Sequence, residues 1–160
     1  MGDAGKAVSR GLPGHLIRRL HQLSTQIFMQ RVQEAGYDLT PVQFAALDAL
    51  RHSPGIDQAS LADMIAKDRA TTGAVVDRLR QKGLVARIVN SRDKRSRELT
   101  LTEQGVAVIS AMIPVVTRLQ RETLPGLDDA EYRLFIALAA KVVNAAGRMN
   151  EARNATAQEN

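Results

Sequence analysis

Residues 87–105, Arg-Ile-Val-Asn-Ser-Arg-Asp-Lys-Arg-Ser-Arg-Glu-Leu-Thr-Leu-Thr-Glu-Gln-Gly, read as two short strands joined by a basic turn and followed at once by a capped helix. The flanking runs Leu84-Val85-Ala86 and Glu98-Leu99-Thr100-Leu101 alternate as half-buried strands do. Arg87, Arg92, Lys94, Arg95 and Arg97 gather there, and Asp93 is the single acid before Glu98. A loop of that charge on a two-strand stalk suits phosphates and a minor groove, so the stretch is predicted to be a DNA-binding wing.

The charge is focused. The whole chain carries +5, but residues 67–97 hold ten Lys or Arg against three acids, a local +7 that leaves −2 for everything else. A basic patch confined to one segment is the footprint of a nucleic-acid reader, whereas charge spread along the chain argues only for solubility.

A second signal lies immediately upstream. Asp57 can cap a short helix from Gln58 to about Ala66, with Leu61, Met64 and Ile65 on its apolar side. Asp68 then reads as the N-cap of a helix from Arg69 to about Lys82, stopped by Gly83. On a helical wheel Thr72, Val75, Val76 and Leu79 share one arc, and Ala70, Thr71, Ala74, Asp77, Arg78 and Gln81 share the other. The first arc packs; the second is free. A helix pair joined by so short a turn is a helix-turn-helix, and its second helix is expected in the major groove. Arg69, Ala70, Thr71, Ala74, Asp77 and Arg78 make up the expected recognition surface. Thr71 can bond a base edge or phosphate, Ala70 and Ala74 can meet thymine methyls, and Arg78 can reach guanine or the backbone.

On these residues the chain, from about Leu12 to Val143, resembles MarR-type winged-helix transcription regulators. The likeness rests on Asp93-x-Arg95 followed by Leu99-x-Leu101-Thr102-x-x-Gly105, and on Val76-Asp77-Arg78-Leu79-x-x-Lys82-Gly83-Leu84-Val85. It implies that Arg95 enters the minor groove, that Asp93 orients basic side chains of the wing, and that Arg87 is the partner of Asp93. A finer likeness, carried by Gly14-His15-Leu16-Ile17-Arg18-Arg19-Leu20 and Pro54-Gly55-Ile56-Asp57-Gln58-Ala59, resembles the subgroup that controls catabolism of aromatic or heteroaromatic carboxylic acids, including hydroxynicotinate-responsive repressors.

The remaining segments are helical. After Pro13, Leu12, Leu16, Leu20, Leu23, Ile27 and Val32 repeat at helical spacing until Gly36. Thr40-Pro41 opens a helix holding Phe44, Leu47 and Leu50, which closes near His52-Ser53-Pro54-Gly55. Thr102 is expected to cap a helix reaching about Leu124, bent at Pro114, and Asp128 to start a last one with a stripe of Leu134, Phe135, Leu138 and Val142. End helices with apolar stripes and no partner in a small winged-helix core predict a homodimer. Its two-fold axis would call for a pseudo-palindromic operator of double-stranded DNA, with half-sites about one helical turn apart.

The expected fold class is therefore mainly α with a small β wing: a winged helix-turn-helix DNA-binding lobe plus a terminal-helix dimerisation lobe. Residues 1–160 form a single domain in this reading. Residues 12–36 and 106–150 are the dimerisation helices, 40–105 the winged lobe, and 1–11 and 151–160 flexible tails.

Composition narrows function by exclusion. The chain of 160 residues is 44% hydrophobic with only five aromatic residues, which points to an aliphatic helical core. The absence of cysteine removes disulfides, thiolate metal sites and cysteine-based redox sensing. Met1–Gly11 has no hydrophobic region for a signal peptide and no long apolar run follows, so a cytoplasmic protein with no membrane partner is expected. His15, His21 and His52 show no metal spacing, no phosphate loop or nucleophile elbow is present, and Gly83 and Gly105 read as cap and turn glycines. Neither enzyme activity nor a cofactor is expected.

The resemblance implies a small aromatic acid held in a cleft between dimer helices and winged lobe. An anionic ring compound needs a cation or several donors in an otherwise apolar pocket. His15, Arg18, Arg19 and Gln22 on the first helix, with Phe44, Asp48 and Arg51 on the next, are the candidates. The favoured function is a sequence-specific repressor released by such an effector; the alternative is an effector-independent, sequence-tolerant architectural DNA-binding protein. They differ in specificity ratio, about 10³-fold or more for a specific regulator.

Overall fold

The computed structural model describes residues 11–65, 67–89 and 97–158, with side-chain surroundings up to Met149 other than Arg97. Arg92, Asp93, Lys94 and Arg95 of the expected wing lie outside the described residues. The fold class is as the sequence indicates. In chain order the elements are α1 (Pro13–Glu34), α2 (Pro41–His52), α3 (Gln58–Met64), α4 (Arg69–Gln81), β1 (Val85–Val89), β2 (Arg97–Leu101), α5 (Glu103–Leu119) and α6 (Asp129–Gln158).

Local chemistry sets the helix starts. Pro13 and Pro41 occupy first-turn positions, where a missing N–H costs nothing. Thr40 accepts from the Gln43 amide while Gln43 Oε1 accepts from the Thr40 amide, a reciprocal capping box. Asp57 Oδ1 accepts from Ser60 N at 2.7 Å, and Asp68 Oδ1 from Thr71 N at 2.8 Å. Asp128 caps α6 through Ala130 N and Glu131 N, and its own amide donates to Glu131 Oε2.

β1 and β2 pair antiparallel, with Val85 opposite Leu101 and Val89 opposite Arg97. A short third segment, unforeseen in the sequence, bridges β2: Leu99 N donates to Ile56 O at 2.8 Å and Gly55 N to Leu99 O at 3.0 Å. Gly55 has φ +83°, the left-handed region that glycine enters without penalty. The base of the wing is thereby tied to the loop before α3.

The residues through Thr123 make one unit and those from Leu124 another. In the first, Phe28 and Val32 of α1, Leu47 and Leu50 of α2, Leu61 of α3, Val76 and Leu79 of α4, Leu99 of β2 and Ile109, Met112 and Leu119 of α5 are buried in one core. The boundary expected from sequence therefore moves. Residues 12–36 and 106–119 do not form a lobe apart from 40–105, because the second half of α1 and the inner face of α5 complete the core of the winged helix-turn-helix. The start of α1 keeps an exposed apolar face, with Leu16 50% and Ile17 64% exposed.

Other helix ends shift, by two residues in α3 and by a turn or more in α5 and α6. α3 ends at Met64, and Met64 is 50% exposed instead of lying on the apolar side, which Leu61 and Ala62 fill. α5 ends at Leu119, not near Leu124: Glu122 N donates to Leu119 O, and Glu122 is held by Arg31 Nε and Nη2 at 2.8 and 2.6 Å. Pro114 lies inside α5. α6 stays helical to Gln158, past the expected break at Glu151, as befits an Ala-, Arg- and Gln-containing run without Gly or Pro.

Thr102 and Gly105 knit the wing to α5. Thr102 Oγ1 accepts from Gly105 N at 3.0 Å and donates to Gly83 O at 2.6 Å, while Thr102 N donates to Leu84 O at 3.1 Å. A Cβ at position 105 would stand 2.1 Å from Leu84 O. Gly105 is thus no turn glycine; it sits inside α5 and permits a close backbone approach.

Candidate nucleic-acid interface

α4 divides as its sequence pattern requires. Thr72, Val75, Val76 and Leu79 are buried, and Arg69, Ala70, Thr71, Ala74, Asp77, Arg78 and Gln81 are exposed. The buried hydroxyl of Thr72 is satisfied by donating to Asp68 O at 2.9 Å. Asp68 is the hub of the helix start. Besides capping through Oδ1, it accepts from Thr71 Oγ1 at 2.6 Å, and these Thr71 hydrogen bonds hold its carboxyl below the usual aspartate range. The Thr71 hydroxyl hydrogen is thus already engaged, and the oxygen faces solvent as an acceptor. Asp57 is likewise lowered, chiefly by the Ser60 amide.

Arg87 fixes the wing base to both helices of the helix-turn-helix. Its Nη2 donates to Gln58 Oε1 at 3.0 Å and lies 3.3 Å from Asp77 Oδ1. Asp77 also faces Arg80 Nη1 at 3.6 Å. The side chain of Arg87 is 26% exposed and that of Asp77 55%, so the arginine end is sheltered while the carboxylate end faces solvent. Asp93, the partner implied for Arg87, lies outside the described residues. The Gln58 amide also lies against α4: a Cβ on Gly73 would come within 3.1 Å of Gln58 Nε2.

Sequence reasoning missed Gln58, and it missed a set at the far end of α4. Lys82 Nζ donates to Asp38 Oδ2 at 2.8 Å and Gln43 Oε1 at 3.4 Å, and also to the Asp38 backbone carbonyl. The pattern Thr40-x-x-Gln43 is a legible capping box, but nothing local pairs Gln43 with Lys82.

The expected effector residues are not drawn into one constellation. His15 Nδ1 meets Arg18 Nη2 at 3.2 Å within α1, and His52 Nδ1 meets the Asp48 carbonyl at 2.8 Å within α2. Phe44 packs edge-on against Phe28, with ring centroids 6.0 Å apart, so its ring belongs to the core margin. Arg19, Gln22 and Arg51 are exposed and, among the described residues, have no hydrogen-bond or ion-pair partner. Among the described residues no cluster of His, Asp or Glu has metal-binding geometry, and no helix is long and apolar enough to cross a membrane.

A helix-turn-helix whose second helix exposes small, hydroxyl-bearing and cationic side chains, braced beside a two-strand wing, defines a winged helix-turn-helix DNA-binding protein. The MarR family profile matches residues 37–96. The chain is 35% identical over 130 residues to the transcriptional regulator HosA of Escherichia coli O157:H7, covering 79% of this chain and 96% of HosA. It is 34% identical over 131 residues to the transcriptional repressor NicR of Pseudomonas putida KT2440, covering 82% of each. The structure of Bordetella bronchiseptica BpsR, whose DNA binding is regulated by 6-hydroxynicotinic acid, superposes with a TM-score of 0.78 at 31% identity, over 87% of this chain and 98% of that one. The chain belongs to the MarR family of DNA-binding transcriptional regulators.

Proposed function

We propose that this protein is a dimeric repressor that reads a pseudo-palindromic operator with α4 in the major groove and the wing in the minor groove, and that a small aromatic carboxylic acid releases it. The observation that carries the reading is the clean division of α4 into a buried aliphatic face and an exposed face beside a braced wing. Ala70, Thr71, Ala74 and Arg78 are the base-facing set. Asp77 is reassigned: its carboxylate would repel phosphates, and its place beside Arg87 and Arg80 makes it a brace. Arg92, Lys94, Arg95 and Arg97 supply the wing's charge.

Repression and release are supported by the likeness to a repressor, NicR, and to BpsR. The cation for an effector carboxylate is assigned to the start of α1, where His15 and Arg18 meet and Arg19 and Gln22 stand unpaired among the described residues. Dimerisation is supported by apolar side chains left exposed on α6, among them Leu134, Leu138, Val142 and Val143. The test is competition binding at fixed salt between a duplex enriched from a random library by the protein and a scrambled duplex, with and without 6-hydroxynicotinic acid as probe. A preference of about 10³-fold or more, reduced by the acid, is expected. A preference near unity would make the protein a sequence-tolerant architectural binder instead.

A further inference from the structure

The C-terminal end of α4 is fastened to the junction between α1 and α2 by one side chain. An ammonium carries three hydrogens and no acceptor. In Lys82 they meet the Asp38 carboxylate at 2.8 Å, the Asp38 backbone carbonyl, and Gln43 Oε1 at 3.4 Å. Gln43 is buried at 7% exposure, and the same oxygen accepts the Thr40 amide that starts α2. The acceptor cage is therefore rigid at its inner end. The Lys82 side chain is 25% exposed, against 87% for Asp38, so the lysine is largely inside and its carboxylate partner closes the cage from outside. Lys82 N also closes the last turn of α4 on Arg78 O at 3.1 Å.

We propose that Lys82 is a positioning residue for DNA reading: it fixes the tilt of α4 against α2 through Asp38 and Gln43, and does not hold a phosphate. The plain alternative for a lysine at the end of a recognition helix is a phosphate contact, and the two readings give opposite signs for one substitution. Asp38→Asn removes a negative charge from the neighbourhood of Arg78 and Lys82. If Lys82 gripped phosphate, freeing it from Asp38 would tighten binding to every duplex. If the pair sets the tilt of α4, the same change weakens the cognate complex and leaves non-specific binding alone. Lys82→Arg is the companion test, because a planar fork cannot reproduce a point donor with three separate acceptors, although charge is kept.

The inference rests on α4 being the base-reading helix, and the experiment separates the two. Affinities of parent, D38N and K82R are measured over a series of salt concentrations on a duplex enriched by the parent from a random library and on a scrambled duplex. Both variants are expected to lose about tenfold on the enriched duplex, as for loss of one good base contact. On the scrambled duplex they should stay near the parent, with an unchanged salt slope on either. Failure of the parent to enrich any duplex would sink the base-reading assignment itself. If the parent enriches one but D38N keeps or exceeds its preference, or K82R retains it in full, the positioning role is overturned.

Discussion

At the scale of single residues, Gly105 is the position with least freedom. A methyl added there would stand 2.1 Å from Leu84 O, and that carbonyl cannot retreat easily because it also accepts from Thr102 N at 3.1 Å. Gly105→Ala should cost about 1–3 kcal/mol, as overpacking does, read as a lower urea midpoint. Thr102→Ala removes both the cap on Gly105 N and the bond to Gly83 O, and should cost about 0.5–2 kcal/mol; a midpoint unchanged within error would show that the wing is held to α5 by other means. The caps of α3 and α4 make a pH prediction. Asp57 and Asp68 are lowered from the ordinary value of 3.8, mainly by the Ser60 and Thr71 hydrogen bonds to their ionised forms. Their stabilisation is thus fully present above that value and fades as pH falls through the lower folded-state values. Thermal melts of the parent should fall more steeply below about pH 4 than those of an Asp68→Asn variant, and parallel curves would refute the assignment.

At the scale of elements, the proposed division gives base reading to α4 and its aim to the neighbours that brace it. Arg78→Ala or Thr71→Ala should cost roughly 1–3 kcal/mol on the enriched duplex and narrow its advantage over scrambled DNA. Equal losses on both duplexes would leave them as phosphate contacts. This helix was largely legible: Asp68 before it, Gly83 after it, and the arc of Thr72, Val75, Val76 and Leu79 are all local signals, and each has the predicted place. Its braces were not legible. Arg87 reaches Gln58 across 29 positions and Lys82 reaches Asp38 across 44, distances over which periodicity and capping rules say nothing. The same limit put Asp77 on the reading surface. A wheel shows that it faces outward, and only the folded wing shows Arg87 waiting beside it. The end of α5 was misplaced for a related reason, since Arg31 and Glu122, which hold the turn after it, lie 91 positions apart.

At the scale of the whole molecule, the proposed assembly and the proposed regulation both draw on exposed aliphatic side chains near the two ends of the chain. Leu12 before α1, Leu16 and Ile17 on α1, and Leu134, Leu138, Val142 and Val143 on α6 are exposed in the single chain, and apolar faces of this kind mark interaction sites where they are contiguous. Leu138→Asp with Val142→Asp should convert the dimer to monomer in sedimentation and abolish tight binding to a two-half-site duplex; a dimer that survives would place the interface elsewhere. The candidate effector cations occupy the same part of α1 as that apolar face, so an acid bound at His15 and Arg19 would favour one spacing of the DNA-reading lobes while DNA favours another. Linkage then makes the opposition reciprocal. If the acid weakens DNA affinity some 5–150-fold, DNA must weaken affinity for the acid by the same factor, a coupling of about 1–3 kcal/mol. Arg19 is exposed and has no ion-pair partner among the described residues, so Arg19→Ala removes a ligand contact without leaving a buried charge unpaired. The variant should bind DNA as the parent does but no longer respond to the acid, and calorimetry with the acid should show its affinity lost. Undiminished affinity for the acid in the variant would remove Arg19 from the effector site.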